Sequence, residues 1–61
     1  MKPDFYIVRS SWDTGYEDFD CNDLVAANKR KWHEIEKICQ DTGLANFEAS
    51  QFVIIYAATR V

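Results

Sequence analysis

The stretch from Asp20 to Gly43 constrains this chain more than any other part of it, because it reads as one long helix with a start, a stop and a single apolar side. Asp20 suits the N-cap, Phe19 and Leu24 stand where a hydrophobic staple would hold the entry, and Asp23 falls at N3. At the other end Gly43 suits the C′ position, and Leu44 follows where a Schellman ending would pack it on Cys39. Between these signals Leu24, Val25, Trp32, Ile35, Ile38 and Cys39 share one stripe at about 100° per residue. Arg30–Glu34 and Lys37–Asp41 are i,i+4 pairs on the opposite side.

A chain of 61 residues has little left once that helix is assigned. A domain of this size buries only about 60% of the surface its unfolded chain exposes, so it supports one core and one domain, residues 1–61. The remaining segments read as strands. Asp4 to Trp12 contains Phe5, Tyr6, Ile7 and Val8, aromatic or β-branched residues that suit a pleated surface. Asp13-Thr14-Gly15 is turn chemistry, with Gly15 free to take positive φ, and Tyr16 to Phe19 is a short returning strand despite Glu17 and Asp18. Gln51 to Arg60 is apolar on both sides, the pattern of a strand covered twice, and Ala45 to Ser50 reads as a short strand or loop. The expected fold is α+β: a small antiparallel or mixed sheet in ββαβ order, its first and last strands central, with the amphipathic helix packed on one face.

That arrangement leaves a surplus. One helix covers one face of a sheet, yet Phe52, Ile54 and Tyr56 alternate with Val53, Ile55 and Ala57, and Phe5 and Ile7 with Tyr6 and Val8. An open apolar face of several hundred Å² marks an interaction site. The simplest cover is a second copy, which makes a homodimer through the sheet face the expected assembly. The functional partner and a fold-back of residues 44 to 50 are the other covers.

Charge and cysteine usage narrow the class. The net charge of −3 disfavours a general attraction to nucleic acid or anionic lipid. Cys21 and Cys39, placed on one helix, would lie roughly 27 Å apart, too far for a disulfide, and two free thiols suit a reducing cytoplasm. The start, Met1-Lys2-Pro3-Asp4, opens no apolar signal region, and the run Phe52 to Ala58 is too short to span a bilayer. A cytoplasmic protein without membrane contact is expected.

Several short motifs suggest chemistry and give way to simpler readings. Asp13-Thr14-Gly15 is the tripeptide of aspartic proteases, but those enzymes need a second Asp from another lobe and apolar residues before the first; here Ser11-Trp12 precede it, and a turn explains it. Asp18-Phe19-Asp20-Cys21-Asn22 opens like a calcium loop, yet the sixth and twelfth positions are Asp23 and Lys29 where Gly and Glu are required. His33-Glu34 lacks a second histidine at Lys37, and one histidine with two distant cysteines assembles no zinc site. With no phosphate loop and no base placed beside a nucleophile, no catalytic residue, metal or cofactor is assigned.

Two surface features remain. Lys29, Arg30 and Lys31 beside Trp32 form the only basic cluster and are the candidate nucleic-acid contact, although the three point in different directions and Trp32 is expected in the core. Trp12, Asp13, Tyr16, Glu17 and Asp18 combine aromatic anchors with steering charge and are the candidate partner-binding residues. Small chains without disulfide or metal are frequent in phages and mobile elements, where they inhibit or redirect host proteins. The expectation is therefore a small non-enzymatic protein-binding module, an inhibitor or regulator of phage type. The alternatives are a nucleic-acid-binding regulator using the basic patch, or an acidic DNA mimic. Nucleic acid is the less expected partner.

Overall fold

The computed structural model describes residues 2–12 and 14–60. Its elements are β1 (Phe5–Ser10), β2 (Glu17–Cys21), α1 (Leu24–Thr42), the single-turn α2 (Asn46–Ala49), a 3₁₀ turn (Ser50–Phe52) and β3 (Val53–Ala58). The strands form one antiparallel sheet in the order β2-β1-β3, with Val8 opposite Phe19 on one side and Ile55 on the other. The α+β class and the ββαβ order are as expected, with two short helical turns added before the last strand. The Cα atoms extend only 13 Å along the shortest axis, which accommodates the sheet and α1 as two layers and no third.

Alternation along the strands decides what is covered. Tyr6, Val8, Phe19, Cys21, Val53 and Ile55 share the face toward α1, where they meet Ala27, Ile35 and Ile38. Val8 and Ile35 are fully buried, and each contributes about 1.5–3 kcal/mol by leaving water. Ala49 of α2 closes one end of this core.

The helix begins three residues later than expected. β2 continues through Asp20 to Cys21, which pairs with Tyr6, so Asp20 is a strand residue. Asp23 is the N-cap instead: its backbone is extended and its Oδ1 accepts the Ala26 N–H at 2.8 Å. Because Cys21 sits in β2, the spacing of the two cysteines along one helix does not apply; both are free, Cys21 buried and Cys39 half-buried. At the other end Gly43 takes φ 77°, the left-handed conformation, and its N–H donates to the Cys39 carbonyl at 2.8 Å. That single bond is an αL ending rather than a Schellman motif, and Leu44 N–H donates to Thr42 Oγ1 while its side chain packs on the core.

The apolar stripe of α1 is also rotated from its expected position. The buried positions are Ala27, Glu34, Ile35 and Ile38, whereas Leu24, Val25 and Trp32 are exposed, Trp32 by 54%. The sheet supplies bulk through Tyr6, Phe19 and Ile55, and the small Ala27 lets the helix approach it. Glu34 therefore lies on the inner side. Arg30 Nε, His33 Nε2 and Lys37 Nζ stand 3.7–3.9 Å from its carboxylate, so Lys37 is drawn to Glu34 rather than to Asp41.

From Asn46 onward the segment expected as a strand or loop is helical, capped by the extended Ala45, whose N–H donates to Glu48 Oε1 and whose carbonyl accepts the Ala49 N–H. The connection from β1 to β2 uses no positive φ at Gly15. Finally, β3 is an edge strand and only β1 is central, so the apolar residues on both sides of β3 are not both covered: Ile54 is 44% and Tyr56 42% exposed.

Candidate functional site

The face of the sheet away from α1 carries Phe5, Ile7, Arg9, Asp18, Asp20, Ile54, Tyr56 and Ala58, by the same alternation that buries Val8. No helix among the described residues lies over it. At one end of this face a cluster is assembled from three segments. Arg9, on the central strand, is directly opposite Asp18 and Ile54. Its Nε donates to Asp18 Oδ1 at 2.8 Å and its Nη2 to Asp18 Oδ2 at 3.0 Å, a bidentate pair. The same guanidinium lies 4.1 Å from the Tyr16 ring centre and 5.3 Å from that of Tyr56. One cation thus orders two tyrosines and one carboxylate on an exposed surface. The hydrogen bonds from Arg9 hold the Asp18 carboxyl below the usual carboxylate range, against a smaller opposing effect of desolvation, and the Arg9 guanidinium is made harder still to deprotonate.

The expected partner-binding residues divide between the two faces. Tyr16 and Asp18 join the open-face cluster. Trp12 does not: its ring meets Phe52 edge-on, with centroids 5.0 Å apart, on the helix side. Glu17, by its register with Ser10, also belongs to the helix side. There Trp12 and Glu17 line a cavity of about 340 Å³ that Tyr16 also borders, with Glu34, Lys37 and Asp41 of α1 on its other wall. Asp13 lies outside the described residues.

Arg9 is the site residue that sequence reasoning missed; Ile54 and Tyr56 are legible there only as part of an apolar sheet face. A lone arginine in a strand otherwise aromatic or β-branched was the available signal, since in a hairpin it needs an acid across from it, and Asp18 is the residue the register supplies.

The basic cluster is divided as well. Arg30 lies 3.7 Å from the centre of the Phe19 ring and close to Glu34, so it serves the fold. Lys29 is exposed and Lys31 half-buried, with Trp32 exposed beside them. Of the acidic run, Asp18 is paired and Asp23 caps α1. No helix of the described residues is long and apolar enough to cross a membrane. No protein-family model, curated protein or solved structure matches the chain.

Proposed function

We propose that this chain is a non-enzymatic protein-binding module, an inhibitor or regulator, that meets its partner with the open sheet face at its Tyr16–Arg9–Asp18 end. The observation that carries this reading is the Arg9 guanidinium held by Asp18 against the rings of Tyr16 and Tyr56 on an uncovered face. Tyr and Arg are the residues from which binding hot spots are built, and an arginine already fixed by two hydrogen bonds loses little freedom when a partner covers it. Ile54 flanks Arg9, Ile7 and Phe5 continue the apolar surface away from the cluster, and Asp20 on the same face steers a basic partner.

The test has two stages. A tagged chain captures its partner from a cell lysate, and mass spectrometry identifies it. Tyr16→Ala and Tyr56→Ala then each weaken binding to that purified partner by about 1–4 kcal/mol while both variants stay folded. Folded variants that bind like the parent chain overturn the reading.

Exposure of Trp32 next to Lys29 and Lys31 favours a second reading, a nucleic-acid contact on α1. With Arg30 engaged in the fold, such binding vanishes at ordinary salt. A salt-resistant gel shift abolished by Trp32→Ala would replace the protein-binding proposal with this one.

A further inference from the structure

We infer that β3 is the seam of a two-fold dimer, in which it pairs antiparallel with β3 of a second copy and joins two three-stranded sheets into one of six. This goes beyond the proposed function, because it concerns the free backbone edge of β3 and a second copy of the chain rather than an outside partner; Tyr56 alone takes part in both.

The first argument is the state of the β3 backbone. Ser11 N–H donates to the Phe52 carbonyl at 2.8 Å, which continues the β1–β3 register by one pair and identifies that pair as hydrogen-bonded. Such pairs alternate along an antiparallel ladder, so Ile54, Tyr56 and Ala58 direct their N–H and C=O groups to β1. Ile55 and Ala57 direct theirs outward, as Val53 does its carbonyl; the Val53 N–H closes the preceding turn on Ser50. Among the described residues no strand pairs with β3 on that side.

The second argument is the contrast between the two edges. The exposed edge of β2 carries Glu17, Asp18 and Asp20, and pairing it with itself would bring carboxylates together. β3 reads Val-Ile-Ile-Tyr-Ala-Ala, with no charge, proline or glycine in it. Edges meant to stay single are protected by charge, proline, a bulge or a covering element, and β3 has neither charge nor proline.

The third argument is the fit of the second copy. A two-fold axis at Ile55 pairs Val53 with the second copy's Ala57, and Ile55 with itself, through the outward groups. It sets Ile54 opposite the second copy's Tyr56 on the open face, twice, making cross-strand aromatic–β-branched pairs from two side chains now more than two-fifths exposed. Charge does not oppose this contact. The β2 acids are two strands from the seam, about 10 Å at the usual strand spacing, which exceeds the ~8 Å screening length at physiological salt.

Sedimentation equilibrium over a micromolar concentration range, joined to amide hydrogen exchange by NMR, tests the inference. The parent chain is expected at twice its 7.1 kDa mass, with the Ile55 and Ala57 amides exchanging as slowly as those of Ile54 and Tyr56 and losing that protection on dilution. Ala57→Pro removes one outward donor at a position where an edge strand tolerates proline, and is expected to halve the mass while leaving the circular dichroism of the fold in place. Should that variant fail to fold, the exchange pattern of the parent chain decides alone. A chain monomeric throughout overturns the inference. So does a dimer whose Ile55 and Ala57 amides exchange freely, or one that survives in folded Ala57→Pro, since either places the contact on the open face.

Discussion

The two faces of this sheet are built from the same three strands, yet one is a core and the other a surface. Val8 is fully buried toward α1, while its neighbours Ile7 and Arg9 point to the opposite side. On β3, Val53 is buried and Ile54 is not. Both faces carry aromatic and β-branched side chains, but only the open one carries Arg9, Asp18 and Asp20, and α1 lies over the other. Among the described residues α2 is a single turn that closes one end of the core, so the open face is ordered by different means. The apolar side chains there are held flat by the ladder, and the one charged pair, Arg9–Asp18, is braced by tyrosine rings. Apolar sequence alone thus does not tell a core strand from a contact surface.

The largest effect separating the faces is expected from a matched pair of truncations. Ile35→Ala opens a cavity against the covered face and should cost about 2–5 kcal/mol, enough to bring so small a domain close to unfolding. Ile54→Ala, on the open face, should cost less than about 1 kcal/mol in dilute solution. Urea denaturation of both variants measures the difference. Equal losses would mean that the open face is as much a core as the covered one, and the comparison would fail.

Much of the fold was legible because local signals agreed with one another. The turn between β1 and β2, the glycine at the end of α1 and the aromatic and β-branched strands each name their element from a few adjacent residues. What was misread depends on residues far apart. Asp20 and Asp23 are equally good caps in isolation, and only the pairing of Cys21 with Tyr6 assigns Asp20 to a strand. On α1 the expected stripe holds at Ile35, Ile38 and Cys39, but burial also takes in Ala27 and Glu34 and leaves Leu24, Val25 and Trp32 outside, because the facing sheet and the cations around Glu34 are set by tertiary packing. β3 reads as central because it is apolar on both sides, a pattern that an unprotected edge shares. The candidate site was half legible for a similar reason. Trp12 and Tyr16 are close in sequence, but the hairpin sends one to Phe52 and the other to Arg9.

A smaller effect sharpens the comparison at the point where β2 gives way to α1. Asp23 serves the covered layer through its bond to the Ala26 N–H, whereas Asp20 stands on the open face. Asp23→Ala should cost about 0.5–2 kcal/mol and Asp20→Ala no more than about 0.5 kcal/mol. Thermal melts followed by circular dichroism separate them, and a larger loss for Asp20→Ala would return the cap to that residue.

The smallest expected effect concerns acid and belongs to the open face alone. The Asp18 carboxyl is held below its ordinary range by the hydrogen bonds from Arg9, and the arginine stays charged at every pH of interest. A carboxyl whose folded value is depressed binds protons less readily in the native state than in the unfolded one. Its contribution to stability is therefore complete above the ordinary aspartate range, near pH 3.9, and is lost as the pH falls through the lower folded value. Because the pair is exposed, 36% and 32% for the two side chains, the contribution is modest and weakens with salt. Melting temperatures of the parent chain and of Asp18→Asn, taken from neutral pH down to strong acid, should differ most at neutral pH and converge as the carboxylate is protonated. Convergence should come earlier in high salt, where the pair is worth less to begin with. Curves that run parallel over the whole range would show that Arg9 and Asp18 are not paired in solution. The tyrosine rings would then be left without the cation that orders them, and the open face would lose its one built feature.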